Sequence, residues 1–232
     1  MNDRVTTLDT SAGYGQPLAQ AERQRVLRNT YWLLALSMLP TVLGAWIGVS
    51  TGITRSLTGG LGLIVFLGGA FGFMFAIEKT KNSAAGVPVL LGFTFFMGLM
   101  LSRLIAMVLG FKNGSELVMT AFGGTAGVFL VMASLATVIK RDLSGMGKFL
   151  FVGAIMLLVG IVLNIFLQST ALFVTLAVLM VGIFSAFILY DLKRVRDGVE
   201  TNYISATLSV YLDLYNVFQA LLSLLGFAGS RE

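Results

Sequence analysis

The sequence predicts an all-α integral membrane protein of seven transmembrane helices. Three observations carry that prediction. The 232 residues are 56% hydrophobic and only 12% charged, about half the charge of a typical soluble domain. Seven apolar stretches are each long enough to cross a bilayer, which takes about 20 residues. Lys and Arg gather in alternate loops, as they do in a chain threaded back and forth across a membrane. The 27 glycines fit the same class, because small residues let membrane helices approach closely.

Residues 1–30 are polar and mixed in charge, too long and too poor in apolar residues for a signal peptide. They read as a cytosolic N-terminal tail, with a helix expected from Ala19 to Asn29. The spans are predicted at 31–50, 59–77, 86–109, 117–139, 149–168, 171–190 and 205–226. Residues 31–226 then form one membrane domain, and 227–232 a short tail on the far side. Only Ser169 and Thr170 separate the fifth and sixth spans, which predicts a tight hairpin between antiparallel helices.

The basic residues fix the expected orientation. One side collects Arg4, Arg23, Arg25 and Arg28 of the tail, Lys79 and Lys81, Lys140, Arg141 and Lys148, and Lys193, Arg194 and Arg196. The other side has Arg55, Lys112 and Arg231, and Arg103 lies within the third span. The positive-inside rule therefore places the N-terminus in the cytoplasm and, with an odd number of spans, the C-terminus outside. The net charge of +5 is topogenic on this reading, and no nucleic-acid partner is expected.

Composition also excludes chemistry. With no cysteine there is no disulfide, thiolate metal site or cysteine nucleophile. With no histidine there is no Ser-His hydrolase, no HExxH metalloprotease and no His-ligated haem. No glycine cluster runs into Lys-Ser or Lys-Thr, so a phosphate-binding loop is absent. No cofactor is expected.

The functional signal lies in charges at membrane depth, which cost a few kcal/mol even on permissive scales. Asp213 lies about nine residues into the last span, roughly 12 Å from its cytosolic end. Asp191 closes the sixth span. Because the two helices run in opposite directions, both carboxylates fall in the same half of the membrane and are placed to meet. Two carboxylates within a few ångströms cannot both ionise cheaply, so such a pair shares a proton. A shared proton ties the two helices together; its loss leaves two repelling charges and a site attractive to a cation. Calcium takes six to eight oxygens, so the pair is at most a weak, incomplete calcium site that needs help from groups such as Tyr211 and Asn216. Asp191 has a second reading, a simple ion pair with Lys193 or Arg194. Lys79 and Lys81, at the inner end of the second span, are topogenic charges and candidate counter-ions to the pair. Arg103 is expected to snorkel to the interface. Gly68-x3-Gly72 and Gly123-x3-Gly127 are small-residue patterns expected at helix contacts.

These residues sit in motifs that resemble the Bax inhibitor (transmembrane Bax-inhibitor-motif) family. The matching pieces are Phe122-Gly123-Gly124-Thr125, Lys140-Arg141-Asp142-Leu143-Ser144, Ile188-Leu189-Tyr190-Asp191, and the run from Leu208 to Phe218 that contains Tyr211-Leu212-Asp213. The likeness extends from about residue 25 onward. Glu200-Thr201-Asn202-Tyr203-Ile204 and Leu224-Leu225-Gly226-Phe227 resemble the bacterial YccA-like subgroup.

The resemblance implies six helices around a central seventh, in a bacterial inner (cell) membrane with the C-terminus in the periplasm. It implies a pH-sensitive calcium leak whose gating pair matches Asp191 and Asp213, with calcium as the permeant ion. Where the family can place an arginine near the inner end of the second helix, this chain has Lys79 and Lys81. The YccA-like subgroup further implies binding to, and restraint of, the membrane ATP-dependent protease FtsH, with the N-terminal tail involved. The leak ranks first on sequence and FtsH modulation second. A distant third is an intramembrane aspartyl protease, since Tyr190-Asp191 and Asp213 mimic its carboxylate pair. Asp213 lacks the Gly-x-Gly-Asp setting of those enzymes, and the chain is read as a non-enzyme.

Overall fold

Helix ends in this chain fall where polar residues interrupt the apolar runs. Ser169 accepts the Leu172 N–H at 3.3 Å and starts one helix. Asn202 accepts the N–H groups of Ile204 and Ser205 at 2.9 and 3.1 Å and starts the last. Both side chains satisfy donors that a helix N-terminus otherwise leaves orphaned. The computed structural model describes residues 15–57 and 59–230. Its helices are α1 (Gly15–Thr51), α2 (Gly59–Thr80), α3 (Gly86–Leu109), α4 (Gly114–Val138), α5 (Ser144–Leu167), α6 (Thr170–Arg196) and α7 (Tyr203–Gly229), with one 3-10 turn at Ile53–Ser56. All seven helices are long and apolar enough to cross a membrane. Among the described residues there is no strand.

Several boundaries differ from the expected ones: α5 starts at Ser144 instead of 149, and α6 runs to Arg196, six residues past the expected end. The first helix does not wait for residue 31 but starts at Gly15, so the second half of the expected tail is one continuous rod with the first span. The last helix runs to Gly229, three residues past the expected end. Residues 1–14 and 231–232, the outer parts of the two expected tails, lie outside the described residues, as does the side chain of Arg55. The α5–α6 hairpin falls where expected. Gln168 takes a left-handed conformation (φ 48°), and the Asn164 side chain accepts the Ser169 N–H at 3.0 Å, closing the turn.

The last helix is the central one. α1, α2, α3, α4 and α6 all pack on α7, whereas α5 joins the bundle chiefly through α6. Accordingly α7 buries residues on every face, among them Ile204, Val210, Tyr211, Asp213, Val217 and Leu222. On α5 the apolar side chains of Phe149, Phe151, Met156, Ile165 and Phe166 are exposed. In a membrane that surface faces lipid, where apolar exposure carries no penalty.

The closest crossing is between α1 and α3. A methyl group on Gly98 would come within 2.0 Å of the Thr41 carbonyl oxygen, and one on Gly44 within 2.2 Å of the Phe95 carbonyl. Glycine is required at both for the backbones to touch. The glycine pair that packs is therefore Gly44-x3-Gly48. The expected contacts at Gly68, Gly72, Gly123 and Gly127 are not made within this chain: a methyl group on any of the four would meet open space.

The loops at the basic end are cross-tied. Arg196 donates from Nη1 to the carbonyls of Ala136 and Thr137 and from Nη2 to Ile139 at 2.9 Å, capping the end of α4. Asn202 donates to the Lys81 carbonyl at 3.1 Å and to the Asn82 side chain at 2.8 Å.

Candidate functional site

The region between α6 and α7 brings together the two carboxylates that stand out in the sequence. Asp213 lies ten residues into α7, about 15 Å from its start. Asp191 lies five residues before the end of α6, about 8 Å from the same end of the bundle. α6 and α7 pack extensively, and the Asp191 carboxylate lies near enough to act on Asp213 electrostatically. Asp213 is 6% exposed, and its Oδ2 atom is buried with no hydrogen-bond partner. Buried polar atoms nearly always find a partner, so an orphaned carboxylate oxygen is the most unusual polar group in the described structure.

Asp191 differs. Its side chain is 13% exposed, and Arg194, one turn later, stands 3.5 Å away. The Arg194 guanidinium also lies over the Tyr190 ring at 5.6 Å. Glu200, just past the helix, is a further negative charge acting on Asp191. Asp191 therefore makes the ion pair with Arg194 that the sequence left open, from a helix packed against the one that carries Asp213. Lys193 is turned elsewhere, to Asp197.

The other candidate partners are held away from the pair. Lys79 lies over the Phe75 ring at 4.5 Å, and Lys81 pairs with Glu78. The Tyr211 hydroxyl meets Thr41 at 2.9 Å and donates to the Thr94 carbonyl at 3.4 Å, on the α1–α3 side of α7. Tyr211 and Asp213 are two residues apart, so their side chains leave the helix in roughly opposite directions. Asn216 bonds back to the Leu212 carbonyl at 2.8 Å. Among the described residues no group of three or more acidic side chains gathers as a metal site. Sequence reasoning missed two groups, the Arg196 cap and the Tyr211–Thr41 bridge, because both partners are far away in the chain and neither is marked by a local motif.

The family model described as "Inhibitor of apoptosis-promoting Bax1" matches residues 23–230, nearly the whole chain. The chain belongs to the Bax inhibitor family. Among its family relatives, the "Modulator of FtsH protease YccA" of Escherichia coli K12 is 39% identical over 208 residues, covering 90% of this chain and 92% of that protein. The "Inner membrane protein YccA" of E. coli O6:H1 shows the same identity and coverage. An uncharacterized protein of Neisseria meningitidis serogroup A is 36% identical over 88% of this chain and 91% of its own length. The carboxylates of α6 and α7 both lie within the region matched to the family.

Proposed function

We propose that this Bax inhibitor family protein is a multi-pass inner-membrane modulator of the FtsH protease, acting by binding rather than by catalysis. The observation that carries this reading is 39% identity, across 90% of the chain, to a protein named as such a modulator. The structure offers a surface suited to the role. α1 extends beyond the membrane-crossing part of the bundle, with Glu22, Arg23, Gln24, Arg25 and Arg28 exposed. A charged helical rod at the basic end, continuous with a span, is a rigid handle for a partner. The test is capture of FtsH from detergent-solubilised membranes by the full chain and by a variant lacking residues 1–25. Capture by the full chain, lost on truncation, supports the reading. Equal capture by both would remove the tail from it, and no capture by either would remove the reading itself.

A second reading is favoured by one observation, the orphaned Oδ2 of buried Asp213 beside Asp191. A carboxylate pair at membrane depth is the chemistry of a proton-linked cation leak, with calcium as the candidate ion. Two carboxylates supply few of the oxygens calcium prefers, so the pair would act as a gate and a weak transit site. This reading is tested by calcium flux into proteoliposomes at mildly acidic and mildly alkaline pH. The expected result is a pH-dependent flux that becomes pH-independent in Asp213→Asn. Identical flux in the variant would sink the gate. The two readings are compatible, since a binding protein can also conduct.

A further inference from the structure

At the end of the bundle opposite the basic loops, a pocket of about 290 Å³ opens between the end of α1, the 3-10 turn and α3. Gly48, Val49, Gly52, Thr54, Arg103, Ala106 and Met107 line it. Its room comes from small residues. Gly48 meets Ser102 so closely that a methyl group there would lie 2.3 Å from the Ser102 hydroxyl. Gly52 holds a left-handed conformation (φ 65°) that reverses the chain into the turn. A buried hydroxyl pair, Thr54 to Ser102 at 2.9 Å, fixes the turn to α3.

Among the described residues, Arg103 is the one charge in the pocket lining. Its Nη1 donates to the Leu57 carbonyl at 3.2 Å, and among the described residues no carboxylate stands within ion-pair distance of it. Most of its five fixed donors are therefore uncommitted. A guanidinium at the mouth of a mostly apolar pocket, without an acid beside it, is a ready partner for a planar or tetrahedral oxyanion.

Depth identifies the source of that anion. Arg103 lies six residues before the end of α3, about 9 Å inside it. Trp46 lies five residues before the end of α1, at about the same depth, and is 66% exposed. Trp concentrates where headgroups meet acyl chains, so the pocket mouth lies at headgroup level. Two apolar side chains at this end of the bundle are exposed, Met107 of the lining at 58% and Ile53 of the adjoining turn at 62%. We propose that this pocket binds one glycerophospholipid, its headgroup phosphate on Arg103 and its acyl chains along Met107 and Ile53. This differs from simple snorkelling, which needs no pocket and retains no particular lipid.

The test is native mass spectrometry of the detergent-purified protein incubated with short-chain phosphatidylglycerol. Wild type is expected to retain one lipid, Arg103→Gln to retain about tenfold less, and Arg103→Lys to fall between, because an ammonium lacks the bidentate fork. Ala106→Leu fills the pocket without touching the charge and is expected to lose the lipid as well. It keeps the test decisive if Arg103→Gln fails to fold. Inorganic phosphate added in excess is expected not to displace the lipid. Full displacement would overturn the lipid assignment and leave free phosphate as the occupant. Retention at wild-type levels by both Arg103→Gln and Ala106→Leu would overturn the site.

Discussion

The hydroxyl of Tyr211 on α7 lies 2.9 Å from Oγ1 of Thr41 on α1, joining residues 170 positions apart at the centre of the bundle. Thr41 also donates to the Ser37 carbonyl at 2.8 Å, so it keeps a partner if the tyrosine hydroxyl is removed. Tyr211→Phe is then expected to lower stability by about 1 kcal/mol, in the range found for hydrogen bonds between membrane helices. Unfolding in a denaturing detergent titration measures it. A loss of several kcal/mol would mean that the hydroxyl serves a larger polar network than the structure shows.

The α1–α3 crossing makes a sharper demand. Gly98→Ala places a methyl group 2.0 Å from the Thr41 carbonyl, and backbone cannot give way as a flexible side chain can. A loss of about 2–3 kcal/mol is expected from overpacking. Gly72→Ala, which meets open space, is expected to stay within about 0.5 kcal/mol of wild type. Thermal unfolding of the two variants side by side checks the contrast. Equal behaviour would contradict the crossing.

Arg196 ends α6 and caps α4 through three carbonyls. Arg196→Ala is expected to cost about 2 kcal/mol, the usual worth of a charged hydrogen-bonding group. Lysine should not rescue it, because a point charge cannot span three carbonyls. Hydrogen exchange at the end of α4 should rise in both variants while α2 stays protected.

In the α4–α5 loop, the backbone N–H and hydroxyl of Ser144 reach the Asp142 carboxylate at 2.9 and 2.8 Å and hold it below the usual carboxylate range. A carboxyl depressed in the folded state adds stability above its unfolded pKa, about 4, and loses it as pH falls through the lower folded value. Ser144→Ala is expected to move the Asp142 titration up towards the unfolded value, as followed by carboxyl NMR. The backbone N–H remains in the variant, so an unmoved titration would mean that the hydroxyl bond does not form in solution.

Much of the fold was legible because membrane depth imposes a length on apolar runs and the chain obeys it. The α5–α6 hairpin was readable from two polar residues, Ser169 and Thr170, between long apolar stretches. A helix over Ala19–Asn29 was expected, but not its start at Gly15 or its continuity with the first span, because nothing in periodicity alone marks a helix that leaves the membrane. The glycine contacts were chosen wrongly for a physical reason. Gly68-x3-Gly72 and Gly44-x3-Gly48 are the same pattern, and only the tertiary packing of α1 on α3, at Phe95, Leu99 and Ser102, decides which one packs.

At the candidate site, helix direction and depth could place Asp191 and Asp213 on neighbouring helices in the same half of the bundle. Their surroundings could not be placed this way. Tyr211 lies two residues from Asp213 yet serves the opposite face of α7, and Lys81 is held by Glu78 three residues before it. The order of the two functional readings also changes. Sequence alone put the cation leak first, whereas identity to a named FtsH modulator over 90% of the chain favours protease modulation.

That central proposal is tested most directly by reconstituting FtsH in liposomes and following degradation of a membrane substrate with and without this chain. The account predicts that the full chain slows turnover in proportion to its amount, and that removing residues 1–25 relieves the restraint. Turnover unchanged by the full chain, at ratios that saturate the protease, would contradict it.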